Sequence, residues 1–133
     1  MISSNGYISF DITDDGTMFE GPIPDGLGTA NIMPLWEALD TTVVCKKVVG
    51  TKTIIQWTGA EIFFGAPAQF QAILDTADSS IEYVYGPNNQ SDGTDLGAIG
   101  GVQNPAGDQA TETGDGNVAP FAAPNSSVKL THP

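Results

Sequence analysis

Two loops of this chain concentrate side chains whose oxygens bind hard cations. The residues concerned are Asp11, Asp14 and Asp15 in the first loop and Asn88, Asp92 and Asp95 in the second. Because Ca²⁺ prefers about six to eight oxygen ligands, each loop is a candidate calcium site. Neither fits the EF-hand pattern, since Gly93 at the glycine position puts Ile99 where a glutamate is required. The alternative interpretation is a pair of solvated turns, because Asp and Asn are favoured in turns.

Groups for acid–base or nucleophilic catalysis are scarce. Glu61 and Glu82 can be considered for sugar hydrolysis, which needs two carboxyls flanking a cleft. Glu82, however, alternates with apolar neighbours and is expected on a solvent-facing side of its strand. The only cysteine, Cys45, lies far along the chain from the only histidine, His132. We therefore expect no enzyme, and Cys45 is predicted to be a small buried apolar residue.

Candidate contact and modification sites lie in three loops. Phe63 and Phe64 directly precede Gly65, and a loop at this point can bury only one of the two rings. The exposed ring then marks a contact surface, for example for a carbohydrate. Asn89 and Asn125 each open an Asn-X-Ser sequence, the acceptor pattern for N-glycosylation.

Composition and charge indicate the setting in which the chain works. The formal net charge is −12, with 16 acidic residues against four lysines and no arginine. Phosphate contacts need clustered basic residues, so nucleic acid and anionic membrane surfaces are excluded as partners. No apolar run is long enough to span a membrane, and Met1 leads into a predicted strand without a leader sequence. We expect an acidic extracellular or cell-surface protein.

The elements that must position these residues are predicted to be strands. Residues 2–10 open the chain as a strand with a turn at Asn5-Gly6. Residues 32–39 are apolar but contain Pro34, which limits them to a short helical turn or an edge strand. Five further segments carry strand patterns, namely 42–49, 51–58, 68–74, 81–85 and 96–102.

Many short strands separated by turns predict an all-β fold, an antiparallel β-sandwich of jelly-roll or Ig-like size. The 16 glycines and nine prolines agree with this class, since both residues are costly in helices. We predict a sandwich domain over residues 1–104 and a Gly/Pro/Thr-rich extended arm over residues 105–133. Within the arm, residues 127–131 alternate as one short strand, which is either docked or donated.

The order of five motifs resembles a known group of domains. The motifs are Ser3–Phe10, Asn31–Asp40, Thr53–Thr58, Gln69–Leu74 and Ile81–Gly86. Together they resemble a β-sandwich module of secreted bacterial surface proteins and, more loosely, the extracellular nidogen-homology (NIDO-like) domain. The similarity covers residues 2–104. It implies an extracellular, mostly β domain used in adhesion or in large surface proteins, with no shared catalytic residues.

One departure from that group concerns the first motif, which members precede with further strands. An incomplete sandwich leaves an open edge that invites pairing with another chain. The missing strand can come from the chain's own arm, from a neighbouring subunit or from a separate polypeptide. We therefore expect a structural or adhesive surface domain that forms a homo-oligomer or filament by strand exchange. The alternative is a carbohydrate- or Ca²⁺-dependent binding module of a larger adhesin.

Overall fold

The computed structural model describes residues 1–14, 16, 21–26, 28–63, 65–91 and 97–131. These residues contain no helix, and so none that is long and apolar enough to cross a membrane. They form nine strands, which are β1 (Ile8–Ser9), β2 (Asn31–Trp36), β3 (Leu39–Val49), β4 (Lys52–Glu61), β5 (Pro67–Asp75), β6 (Ser80–Tyr85), β7 (Ile99–Gln103), β8 (Ala110–Asp115) and β9 (Ser127–Leu130).

The strands form two antiparallel sheets. The first sheet has the order β1-β2-β7-β8 and the second the order β3-β4-β5-β6-β9. In the second sheet, β3 to β6 follow one another as hairpins, and Gly50, with a φ of 58°, lies in the two-residue turn between β3 and β4. This turn uses the glycine where tight hairpins need a positive φ. The predicted all-β sandwich is confirmed.

The main core lies between the sheets, and its largest side chains are aromatic. Trp57 and Phe70 are fully buried and stacked, with their ring centroids 5.2 Å apart. The Tyr83 hydroxyl donates to the Gly101 carbonyl at 2.6 Å, and the Tyr85 hydroxyl donates to the Pro34 carbonyl at 2.7 Å. Burial raises the pKa of both phenols well above the ordinary range. These two hydrogen bonds fix the sheets against each other, because each joins the second sheet to the first.

The expected helical turn near residues 32–39 is wrong, because residues 31–36 form strand β2 and Leu39 begins β3. All six residues of β2 are buried. Ile32 faces the main core, whereas Met33 and Trp36 face a second, smaller apolar cluster on the other side of the sheet. A strand that is buried on both faces shows no alternation, so its pattern does not distinguish it from a helix.

The first strand is much shorter than the predicted segment 2–10, and the chain's own first residues cover its outer side. The Ser9 amide donates to the Met1 carbonyl at 3.0 Å, and the Ser3 amide donates to the Tyr7 carbonyl at 2.9 Å. The predicted turn at Asn5-Gly6 joins these two short segments. The outer side of β1 is therefore occupied by residues 1–3, and not by the arm.

The segment after residue 104 contributes to both sheets. Strand β8 pairs with β7 at one rim of the first sheet, and β9 pairs with β6 at one rim of the second. Phe121 lies between them and packs against the main core. Leu130 lies opposite Ile81 and also contacts this core. The predicted arm, residues 105–133, thus supplies one rim strand to each sheet of its own sandwich.

The turn before β6 holds a carboxylate, Asp78, that forms an ion pair with Lys129 of β9. Asp78 accepts hydrogen bonds from Ser80 and from Lys129 Nζ, the latter at 2.9 Å, and these hold its pKa at about 2, below the ordinary 3.8. Because the folded state lowers this pKa, the ionised Asp78 carboxylate stabilises the fold fully above pH 3.8. This contribution is lost as the pH falls towards 2 and the carboxylate is protonated. We expect Asp78→Asn to reduce the acid-induced decrease in the free energy of unfolding. Urea titrations across this pH range measure it.

Lys129→Met is the companion variant, because it removes the ion pair and leaves the Ser80 contacts in place. It should reproduce only part of the Asp78→Asn effect. An Asp78→Asn protein that loses stability on acidification as steeply as the wild type contradicts the assignment.

Candidate binding surface

The β3 edge, defined as residues 42–49, is the most exposed element of the sandwich. Every residue from 42 to 49 is exposed, although β3 pairs with β4 along its whole length. The relative exposures of Val43, Val44, Val48 and Val49 are 47%, 40%, 63% and 51%. Within the described residues, no backbone group of another strand pairs with the outer side of β3. Such an edge presents free N–H and C=O groups to any incoming strand.

The register shows why both faces of this strand are open. Val44 and Lys46 lie opposite Trp57 and Ile55 of β4, so their side chains point to the core side of the sheet. They remain exposed because the first sheet ends at β1 and does not extend over them. Cys45 points to the opposite face and is exposed. The prediction that Cys45 is buried is therefore wrong, since the sequence pattern of β3 does not reveal that the opposing sheet stops short.

An open apolar groove of about 590 Å³ lies where the second sheet projects beyond β1. Its lining includes Met1, Ile2, Ile8, Phe10, Ile12, Lys46, Thr53, Ile55 and Leu74. Phe10 is 59% exposed and Ile12 is 96% exposed, which is unusual for side chains of this size. The groove and the β3 edge are contiguous, because Lys46 belongs to both. Contiguous exposed apolar surface of this kind marks a contact site.

Positive charge is concentrated on the same hairpin. Lys46, Lys47 and Lys52 are three of the four lysines in a chain whose net charge is −12. All three are exposed on β3 and at the start of β4. Lysines in an edge strand oppose pairing with neutral or basic strands, so they also select for an acidic partner.

The first predicted calcium loop uses its carboxylates within the fold. Asp11 accepts hydrogen bonds from the amide and the hydroxyl of Thr13, both at 2.7 Å, and these lower the pKa of its carboxyl. Asp14 accepts from the Tyr7 hydroxyl at 3.1 Å and from the Gly16 amide at 2.8 Å. In the described part of the chain, no group of three or more His, Cys, Asp or Glu side chains is placed to hold a metal ion.

The second predicted calcium loop is described only in part. Asn88 is exposed, whereas Asp92 and Asp95 lie outside the described residues, as does Asp15 of the first loop. Calcium binding therefore stays a prediction for both loops.

The predicted aromatic contact site lies in the loop between β4 and β5. Phe63 is 74% exposed and its neighbour Ile62 is 54% exposed, whereas Phe64 lies outside the described residues. Glu61, which ends β4, is buried. Phe63 thus offers a second, smaller apolar contact point.

The two predicted glycosylation sites differ sharply. Asn125 lies in a turn, with a φ of 59°, and its side chain is exposed. Asn89 has no exposed surface, and its Nδ2 donates to the carbonyls of Ser91 and Ala122 at 2.6 and 2.7 Å. A glycan on Asn89 is incompatible with this folded structure, because the nitrogen that carries the sugar is enclosed and already hydrogen-bonded.

These features define an antiparallel β-sandwich domain with an open, basic and partly apolar edge. The NIDO-related family model matches residues 1–130. The chain therefore belongs to the NIDO-related family, in agreement with the resemblance to NIDO-like domains. No curated protein and no solved structure matches the chain significantly.

Proposed function

We propose that this chain is an extracellular structural or adhesive domain that joins other polypeptides by strand addition at the β3 edge. One observation carries the proposal, namely that residues 42–49 are exposed on both faces and are paired only with β4 within the described structure. An extended segment that pairs with β3 gains main-chain hydrogen bonds, while its side chains contact the valines and the groove.

Membership of the NIDO-related family and the net charge of −12 support an extracellular location, as in secreted surface proteins. The strands of the arm pair with β6 and β7 of their own chain. The favoured mode is therefore the addition of a strand to a complete set of sheets, rather than the release and exchange of β8 or β9.

A peptide-binding experiment tests this function. The probe is a synthetic peptide in which valine and glutamate alternate, added to the protein at nanomolar concentration. We expect the peptide to bind in the micromolar range and to slow the alkylation of Cys45, which lies on β3. Val48→Asp should weaken the binding at least about tenfold, because it puts a carboxylate next to the acidic peptide and removes apolar contact.

Val118→Asp is the matched control, because Val118 is 81% exposed and lies outside the strands. It should bind the peptide like the wild type. Equal binding by Val48→Asp and Val118→Asp, or unchanged Cys45 alkylation with peptide bound, rules out β3 as the docking edge.

A further inference from the structure

The geometry points to β8 of a second copy of this chain as the strand that adds to the β3 edge. This inference rests on the proposed function and names its partner. The two edges carry opposite charge, since β3 has Lys46 and Lys47 at its centre and β8 has Glu112 at its centre. The lengths are also compatible, because all 6 residues of β8 can pair within the 11 residues of β3.

The other sheet edges of the described chain are poor partners for β3. The outer side of β1 is covered by residues 1–3. Strand β9 is only 4 residues long and contains no acidic side chain to pair with the lysines of β3. Pairing of residues 42–49 with the same residues of another copy brings lysines together without any acidic residue to compensate them, which is unfavourable in adjacent strands. Among the edge strands of the described residues, only β8 combines an outer side that is free over residues 110–114 with a central acidic residue.

The outer side of β8 is accessible. Strand β8 pairs with β7, and within the described residues no backbone group pairs with the other side of residues 110–114. At the end of the strand, the Asp115 carbonyl accepts from the Val118 and Ala119 amides, both at 3.0 Å. Thr111 and Glu112 are both exposed. Thr111 is β-branched, as are the valines of β3, and such residues pair favourably across neighbouring strands.

The faces of the two sheets also agree. Glu112 aligns with Gly101 and Met33, which lie on the side of the first sheet that is turned away from the main core. Lys47 aligns with Ile54, on the side of the second sheet that is turned away from the core. When β8 of one molecule continues the second sheet of the next with both cores on the same side, Glu112 faces Lys47.

This contact is heterologous, because each molecule uses one surface to bind and a different one to be bound. Repetition of a heterologous contact gives a filament, or a ring if the rotation closes. Because opposite charges select the pairing, added salt should weaken the assembly.

A charge-reversal experiment tests the partner, with sedimentation velocity to measure assembly and the Cys45 alkylation rate to report coverage of β3. The wild type should form larger species as its concentration rises, and Cys45 alkylation should slow in parallel. Lys47→Glu alone and Glu112→Lys alone should each shift assembly to concentrations at least about tenfold higher. An equimolar mixture of the two variants should regain assembly, because the reversed edges then match each other.

The controls change the net charge equally at a distance from both edges. Asn88 and Gln90 are exposed in the loop after β6 and can be changed together to Glu or together to Lys. These controls should assemble like the wild type. Loss of assembly in the controls as well, or failure of the mixture to recover, overturns the pairing of β3 with β8.

A wild type that remains monomeric at every concentration also overturns the second copy as partner. If that protein still binds the valine-glutamate peptide at β3, strand addition stands and the natural partner is a different chain. If it binds neither, the proposed function fails as well.

Discussion

Gly6→Ala should unfold the sandwich or lower its free energy of unfolding by more than about 4 kcal/mol. Gly6 has a φ of +78°, and a Cβ atom there would lie 1.9 Å from the Leu35 carbonyl oxygen and 3.1 Å from Phe70 Cζ. Both neighbours are rigid, since Leu35 belongs to strand β2 and Phe70 is fully buried. To relieve the clash, the turn that contains Gly6 would have to move away from β2. This movement would break the hydrogen bond that the Glu37 amide donates to the Asn5 carbonyl at 3.1 Å.

Gly26→Ala separates the steric clash from backbone strain. Gly26 has a nearly equal φ of +72°, but within the described residues no atom outside its chain neighbours lies within 4 Å of the position its Cβ would take. This control should cost only the strain of a left-handed residue, about 1–2 kcal/mol. Urea unfolding followed by tryptophan fluorescence measures both variants. Closely similar losses in the two variants show that the contact with Leu35 is not the cause.

Asn89→Ala should lower the free energy of unfolding by about 3–5 kcal/mol, because unsatisfied buried backbone groups cost about 1–3 kcal/mol each and do not add fully. Asn89 Oδ1 accepts from the Gln69 amide at 2.8 Å, and Nδ2 donates to the carbonyls of Ser91 and Ala122. One buried side chain thus joins β5, the loop after β6 and the segment before β9. Its removal leaves the partly buried Gln69 amide and the buried Ser91 and Ala122 carbonyls without these hydrogen bonds.

Asn88→Ala is the matched control, because Asn88 is the exposed neighbour in the same loop. It should change the free energy of unfolding by less than about 0.5 kcal/mol. Asn89→Asp adds a second check, since a carboxylate would face two carbonyl oxygens and should destabilise the fold at neutral pH. Its stability should rise on acidification, when the protonated acid can donate again. An Asn89→Ala protein as stable as Asn88→Ala refutes the structural role.

Alternation made the central hairpins predictable from sequence. Ala68, Phe70 and Ala72 are all buried in β5, and Tyr83 and Tyr85 are buried in β6, as their spacing indicates. Gly50 marks the hairpin between β3 and β4 because only a turn residue breaks two β-branched segments there. These elements depend on local pattern, and local pattern is what a single sequence contains.

The candidate binding surface depends on where sheets end, which no local pattern reports. Val44 and Val48 have the composition of a buried strand, yet both are exposed because the first sheet stops at β1. The Asn-X-Ser triplet predicts Asn89 as a glycan acceptor, whereas the hydrogen bonds that enclose its side chain come from residues distant in sequence. The lysines of β3 are the one sequence signal that indicates this exposure, since charge in the middle of an apolar strand is typical of a strand at an exposed sheet edge.

The placement of β8 and β9 has a consequence for biosynthesis. Each sheet receives a rim strand from residues 110–130, so neither sheet is complete until that segment has been synthesised. Until then, the nascent chain exposes the rims of β6 and β7, and the long sequence separation of some contacts slows their formation. The two sheets are therefore completed only after the ribosome has passed residue 130. Premature termination before residue 110 yields a polypeptide in which the edges of β6 and β7 are unpaired and prone to aggregate.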